Sequence, residues 1–190
     1  MRQMHLPTAS YAEMLHWALP TPRAVNEFEA FEKTLEKTKL QKRWGNFVRG
    51  GFWRNFMVKY PEVNAMQKKM LRLSARLERV RESATMMAPD VEGLLTEADN
   101  HLMAAQCNCP YWHGVFGGLY LANIRAAIYR EMIAAEVVLD TIERRTTPNL
   151  ELTDYDFDGE EELIYENREI AFYVGPSRGG SIFEFDYKPL

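Results

Sequence analysis

The sequence is poor in cysteine and has no long apolar segment. Cys107 and Cys109 are the only cysteines among its 190 residues. Because one residue separates them, a disulfide between them would close a strained ring and add little stability. We therefore expect reduced thiols and a cytoplasmic location. The opening MRQMHLPTAS lacks the apolar region of a signal peptide, and no stretch is as long as a membrane helix, so neither export nor a membrane partner is predicted.

The signatures of several catalytic and metal sites are absent as well. The sequence contains neither the GxSxG turn of serine hydrolases nor the GxxxxGK[ST] loop that holds phosphates. A zinc site at the two cysteines would need two further ligands, and His5, His16 and His101 show no ligand spacing. The residues alone therefore predict no catalytic side chain and no zinc site.

Acidic residues are outnumbered in most of the chain and concentrated at its end. Residues 1–150 contain 20 Lys and Arg against 16 Asp and Glu, whereas residues 151–190 contain 3 against 11. The net charge of −4 is thus the difference between two oppositely charged parts. So abrupt a change, just after a Thr-Thr-Pro-Asn stretch, is typical of a boundary between structural units. We predict one domain over 1–150 and a second unit over 151–190.

Helical periodicity dominates the first part. Ser10 and Glu13 have the spacing of a capping box, which predicts a short helix that ends near Pro20. Apolar residues then recur at three- and four-residue steps in four segments, 23–43, 66–87, 91–105 and 121–142. The first of these ends in a basic turn that suits a helix C-terminus. Together the segments predict a bundle of three or more helices.

A run of basic residues accompanies the most regular of these helices. It consists of Lys68, Lys69, Arg72, Arg76 and Arg79. No aromatic residues alternate with it for base stacking, so we interpret it as a solvated helix surface and predict no nucleic-acid partner.

In the acidic part the period changes to two. Aromatic and β-branched residues predict strands over 163–166, 169–174 and 181–187. In the last strand Phe183, Phe185 and Tyr187 would share one face, and something must cover that face because three strands cannot bury a core alone. The predicted fold class is therefore mainly α, a helical bundle followed by a short antiparallel β segment. Its open edges would also permit a homo-oligomer.

The most unusual segment is QCNCPYWHGVFGGLYL, residues 106–121, which concentrates aromatic residues and glycines between two helices. Exposed aromatic rings beside an imidazole suit a sugar, because its C–H face stacks on the ring while polar groups bind its hydroxyls. Tyr111, Trp112 and His113 are the candidates. The alternative is that Tyr111 and Trp112 anchor the loop to the bundle and that His113 is structural.

A second unusual segment carries alternating carboxylates. Asp154, Asp156 and Asp158 precede a glycine, and Glu162 follows three residues after it. Such a pattern can wrap oxygen ligands around a hard cation, although its spacing is not that of an EF-hand. The sequence leaves two interpretations open, a Ca²⁺ loop that leads into a strand and an acidic turn that only aids solubility.

The 106–121 segment closely resembles the fifth characteristic region of glycoside hydrolase family 57, the α-amylase and 4-α-glucanotransferase group. That region typically reads Asn-acid-x-Tyr-Trp-His-Gly followed by Phe-Gly-Gly. LPTASYAEMLHWALP is similar to the stretch that follows the family's catalytic barrel, and FWRNFMVKYPEVNAMQKKML to its central helical domain. DYDFDGEEELIYENREIAFYV and GGSIFEFDYKP are similar to the first strands of its C-terminal β-sandwich.

The resemblance implies that catalysis resides on a (β/α)₇ barrel that is missing here, so this chain alone is predicted to be inactive. It also implies that Tyr111, Trp112 and His113 border a cleft for an α-glucan or maltooligosaccharide. The family's acidic residue falls at Cys109, whose thiol cannot replace a carboxylate. The other hypothesis is a protein-interaction or oligomerisation module without sugar binding.

Overall fold

Helices come first and an antiparallel sheet last in this computed structural model, which describes residues 12–84, 90–113 and 116–188. The described helices are α1 (Ala12–Trp17), α2 (Pro22–Lys37), α3 (Gln41–Trp44), α4 (Trp53–Lys59), α5 (Pro61–Ala84), α6 (Asp90–Ala105) and α7 (Ala122–Ile142). The strands are β1 (Asn149–Thr153), β2 (Glu162–Glu166), β3 (Ile170–Gly175) and β4 (Ser181–Tyr187). The predicted fold class, mainly α with a short antiparallel β segment, is confirmed.

Packing divides the chain into two compact units, which meet in the sequence between Asn64 and Ala65, within α5. The predicted boundary near residue 150 stays a prediction. The predicted Ser10–Glu13 capping box lies outside the described residues.

In the first unit, the predicted continuous helix over 23–43 is wrong. The helix α2 starts where expected, because the hydroxyl of Thr21 accepts the Ala24 N–H at 3.2 Å and proline occupies the first helical position. It ends at Lys37, since the Thr38 hydroxyl donates to the Thr34 carbonyl at 2.8 Å and Lys39 adopts a left-handed backbone, φ 59°. The basic residues beyond belong to the separate helix α3.

In the second unit, α6 and α7 lie against each other. Their shared faces are apolar, with Ala98 and Leu102 buried on α6 and Met132 and Leu139 buried on α7. On α5 the predicted apolar repeat is buried at Met66, Leu73, Leu77 and Val80, whereas Met70 is half-buried. The last positions of that repeat, around residue 87, lie outside the described residues.

The sheet has the order β1-β2-β3-β4, with each strand antiparallel to the next. The bounds of β4 agree with the sequence pattern, but a three-stranded sheet is wrong because β1 adds a fourth strand. The β1 sequence, NLELT, alternates leucine with polar residues over only five positions. So short a pattern is not distinguishable from a loop by periodicity alone.

The sheet buries the face of β4 opposite to the aromatic face that the sequence predicts to be covered. Glu184 and Asp186 of β4 are buried, whereas Phe185 is 61% and Tyr187 64% exposed. Phe183 departs from the alternation because the register shifts between Tyr173 and Val174, and its ring packs beside Tyr173 instead. The prediction that Phe183, Phe185 and Tyr187 form one covered face is therefore wrong.

The buried acidic face meets the basic run of α5. The ammonium group of Lys69, 1% exposed, lies 2.7 Å from Glu184 Oε1 and 2.5 Å from Asp186 Oδ2. Arg76, also buried, contacts Asp140 Oδ1 at 2.5 Å. The interpretation of this run as a solvated surface is thus wrong for these residues, because the partner carboxylates lie far away in sequence.

Further ion pairs extend this contact into a layer between α5, α7 and the sheet, which we call the charge layer. Arg72 forms a bidentate pair with Glu151 of β1, at 3.1 and 2.7 Å. Lys188, fully buried after β4, lies 3.1 Å from Asp140 Oδ2 of α7. The layer comprises Lys69, Arg72, Arg76, Glu136, Asp140, Glu143, Arg145, Glu151, Glu166, Glu184, Asp186 and Lys188.

Acids outnumber bases in the charge layer, and this excess affects proton binding. Burial opposes the charged form of Lys69, but the carboxylates of Glu136 and Glu184 outweigh burial and raise the pKa of Lys69. Burial raises the pKa of the Glu184 carboxyl to about 7, although Lys69 favours its ionised form. Glu184 therefore binds a proton more readily in the folded chain than in the unfolded chain.

This shift predicts a pH dependence of stability. A carboxyl whose pKa is raised on folding stabilises the folded state at low pH, and that contribution is lost as the pH rises from about 4.5 to about 7. We expect Glu184→Gln to remove a slope of up to about 1.4 kcal/mol per pH unit from the free energy of unfolding in this range. Urea denaturation followed by circular dichroism measures that slope. Glu97→Gln, on the exposed side of α6, should leave that slope unchanged. If the free energy of unfolding changes with pH in the same way for wild type and Glu184→Gln, the raised pKa of Glu184 is refuted.

Candidate functional site

The first candidate site is the aromatic loop, residues 106–113 and 116–121, which joins α6 to α7. Two short 3₁₀ turns, Cys109–Tyr111 and Gly118–Tyr120, give it shape. The two turns are tied together, because the Leu119 N–H donates to the Trp112 carbonyl at 2.8 Å. The loop is thus built as a folded unit on the helix pair.

The structure separates the predicted sugar-binding residues by exposure. Tyr111 is buried, and its hydroxyl donates to the Ala105 carbonyl at the end of α6 at 2.8 Å. Burial raises the pKa of this phenol. Trp112 and His113 are half-buried, and Cys109 is exposed. Tyr111 thus has the geometry of an anchor, while the other three reach the surface.

Sequence reasoning did not single out Tyr120 as a site residue. Its ring is 55% exposed and lies against the His113 ring, with centroids 5.4 Å apart and planes at 34°. The contact arises because the Gly117-Gly118 turn folds the chain back toward the Tyr-Trp-His segment. The sequence feature that could have pointed to Tyr120 is the Gly117-Gly118 pair, which ends two residues before it.

Gly118 makes this turn possible. Its φ is +49°, and a Cβ atom there would lie 1.9 Å from the carbonyl oxygen of His113. Another side chain at this position would therefore displace the backbone that carries His113.

Gly118→Ala is expected to lower the free energy of unfolding by about 3 kcal/mol or more, since it adds a backbone clash to conformational strain. Gly179→Ala is the matched control, because Gly179 also has a positive φ, +75°, but has open space around its Cα. We expect about 1 kcal/mol for the control. Thermal or urea denaturation measures both values, and equal losses would contradict the close packing at Gly118.

The second candidate site is the acidic loop between β1 and β2. Carboxylate oxygens of Asp154, Asp156 and Glu162 lie within 4.8 Å of one another. The structure does not bring Asp158 into this group. Its Oδ2 instead accepts from Arg178 at 3.0 Å, and the same guanidinium donates to Asp156 Oδ2 at 2.7 Å. The backbone N–H of Glu160 and, to a lesser extent, the hydrogen bond from Arg178 lower the pKa of Asp158.

Glu162 differs from the two aspartates because its side chain is fully buried. Its Oε2 accepts the backbone N–H of Tyr155 at 2.9 Å. Its Oε1 is also buried and has no hydrogen-bond partner in the part of the chain that the structure describes. Burial raises the pKa of this carboxyl.

Comparison with known proteins identifies the family. The family model described as "Alpha-amylase/4-alpha-glucanotransferase, middle domain" matches residues 51–139, and the model of the C-terminal domain of the same family matches residues 154–190. The chain belongs to the alpha-amylase/4-alpha-glucanotransferase family. The 106–121 segment lies within the matched middle domain, and the strands β2 to β4 lie within the matched C-terminal domain.

Relatives in this family are much longer than this chain. Alpha-amylase 1 of Dictyoglomus thermophilum is 40% identical over 98% of the chain, which spans 25% of that protein. The 4-alpha-glucanotransferase of Thermococcus litoralis is 40% identical over 97% of the chain, again 25% of its own length. The crystal structure of 4-alpha-glucanotransferase from that organism superposes with a TM-score of 0.71 at 38% identity, covering 96% of this chain and 25% of the other. The described strands of this chain form one antiparallel sheet rather than a (β/α)₇ barrel.

None of the helices in the described ranges combines the length and the apolar composition that a bilayer crossing requires.

Proposed function

We propose that this chain is a non-catalytic part of an α-glucan-processing enzyme and that its aromatic loop lines the carbohydrate cleft. The relatives that support the proposal are an alpha-amylase and a 4-alpha-glucanotransferase. The observation that carries it is the contact between the rings of His113 and Tyr120, tilted by 34°, in a loop where Tyr120 is 55% exposed.

The chemistry of this pair suits a sugar. The half-exposed ring of Tyr120 offers an apolar face on which the C–H groups of a glucose unit can stack. The imidazole of His113 and the phenolic hydroxyl can bind the equatorial hydroxyls. Tyr111 acts as the support, because its buried hydroxyl fixes the loop on α6. The hydrogen bonds of Tyr111 to Ala105 and of Leu119 to Trp112 hold the described parts of the loop in place, and such preorganisation lowers the entropic cost of association.

We further propose that the catalytic carboxyl groups lie on a barrel outside this sequence. Retaining cleavage of a glycosidic bond needs two carboxyl groups about 5 Å apart on opposite sides of that bond. In the resembling motif an acid stands where this chain has Cys109, and a neutral thiol supplies neither the charge nor the paired acceptors of a carboxylate. The aromatic loop would therefore contribute binding rather than proton transfer, and we expect no glucan cleavage by this chain alone.

Isothermal titration of the chain with maltooligosaccharides tests the sugar contact. We expect measurable heat with the wild type and a dissociation constant roughly fivefold higher for Tyr120→Ala, because one stacking surface is lost. Trp44→Ala serves as the control, since Trp44 is 44% exposed but lies in the first unit, away from the loop in sequence. If the wild type gives no heat, or if both variants lose affinity equally, the loop does not bind glucan.

A second candidate function is a protein-interaction or oligomerisation module, and the outer sheet face favours it. That face carries exposed apolar side chains on both edge strands: Leu150, Leu152, Ile182, Phe185 and Tyr187. Each is more than half exposed. An apolar surface of this kind is typical of an interface, and its edge strands offer unpaired backbone groups.

Light scattering coupled to size-exclusion chromatography tests this module. If the sheet face mediates self-association, the wild-type chain is a dimer at high concentration and Phe185→Glu is a monomer, because a buried carboxylate opposes the contact. Phe157→Glu is the matched control, since Phe157 is 72% exposed but lies in the acidic loop. A wild-type monomer at all concentrations would exclude self-association through this face.

A further inference from the structure

The acidic loop brings three carboxylates together without enough positive charge to balance them. Asp154, Asp156 and Glu162 share a space of less than 5 Å, where like charges repel strongly outside bulk water. Arg178 offsets part of this charge through Asp156 and Asp158, at 2.7 and 3.0 Å. It forms no ion pair with Glu162 among the described contacts.

The decisive atom is Oε1 of Glu162. A buried polar atom without a partner costs free energy, and the cost is larger for an ionised carboxylate. Glu162 is 0% exposed, and its other oxygen already accepts the Tyr155 N–H. Oε1 lies on the carboxylate that approaches the two aspartates, so a cation held among the three would satisfy it.

We infer that Asp154, Asp156 and Glu162 form a Ca²⁺ site that fixes the loop between β1 and β2. The donor set decides the class of cation, because carboxylate oxygens suit hard ions, whereas zinc and copper sites in proteins draw on nitrogen and sulfur. Ca²⁺ accepts an irregular shell of six to eight oxygens and bidentate carboxylates, and waters or backbone carbonyls complete it. Mg²⁺ demands a near-octahedral shell and gives up its waters reluctantly, so it suits this loop less well.

Ion binding at this site would stabilise the fold through Tyr155. The backbone of Tyr155 is bound to Glu162, and its side chain is buried between the sheet and α5. Its hydroxyl donates to the Ala65 carbonyl at 2.9 Å, and its ring lies 5.0 Å from that of Tyr173. An ion that holds Glu162 therefore also holds the side chain that joins the loop to the helix.

The experiment uses the full chain after treatment with a chelator, with Ca²⁺ alone as the ligand. Isothermal titration gives the affinity, and Tb³⁺ luminescence sensitised by a nearby tyrosine reports whether the ion lies close to Tyr155. We expect Ca²⁺ to bind at one site, to displace Tb³⁺, and to raise the Tm by roughly 5 °C at a hundredfold excess over Kd. Absence of both heat and sensitised luminescence at millimolar Ca²⁺ would overturn the inference.

Substitutions in the acidic loop test whether the ion binds at these three carboxylates. Glu162→Gln keeps an acceptor for the Tyr155 N–H but removes the charge, so we expect a folded chain with at least tenfold weaker Ca²⁺ binding. Asp154→Asn, at a half-buried position, should weaken binding similarly without disturbing the core. Glu161→Gln is the matched control, because Glu161 is exposed in the same loop and does not belong to the group of three. If Glu162→Gln and Glu161→Gln bind Ca²⁺ as tightly as each other, the ion lies elsewhere and the inference fails.

Discussion

The second unit depends on the contact of Lys69 with the carboxylates of Glu184 and Asp186. Burial of an ammonium group is unfavourable unless ionised partners surround it, and here they lie at 2.7 and 2.5 Å on the facing strand. The contact therefore specifies which face of the sheet turns toward α5. A slip of β4 by one residue would place Phe185 against Lys69 and leave the ammonium group without its carboxylates. Because desolvation offsets much of the attraction in a buried ion pair, we expect this contact to contribute to the choice of register as well as to stability.

The orientation set by the charge layer explains the unusual distribution of apolar residues in the sheet. Because the acidic face is turned inward, Leu150, Leu152, Phe185 and Tyr187 are directed outward and remain exposed. In most two-layer folds the apolar face of a sheet packs on the helices. Here ion pairs perform that role, supplemented by a small cluster around Tyr155, Ile164 and Tyr173. The outer face of the sheet is therefore apolar and exposed to solvent at these positions.

The two candidate sites share one construction principle. Each is a loop held by a buried tyrosine whose hydroxyl donates to a carbonyl in a neighbouring helix, Tyr111 to Ala105 and Tyr155 to Ala65. The anchor fixes the backbone next to the side chains that we propose as ligand contacts, His113 in one loop and Asp154 in the other. A loop tied to a helical scaffold by such hydrogen bonds suits recognition, because less conformational entropy is lost when a ligand binds. Neither loop forms part of the charge layer, so ligand binding and sheet orientation rest on separate sets of residues.

The sequence by itself determined the elements with a clear period. The apolar repeats of α5, α6 and α7, the bounds of β4, and the aromatic and acidic segments are all local patterns, so they can be read without knowledge of distant residues. Only the tertiary structure decided which charges are buried and which ligands converge. Lys69 and Glu184 are 115 residues apart, and Arg178 contacts Asp158 of the acidic loop from 20 residues away. The burial of Glu162 is likewise a result of tertiary packing. Charge pattern alone cannot distinguish a solvated basic helix from one half of a buried ion-pair layer, because the difference lies entirely in the partner that folding brings to it.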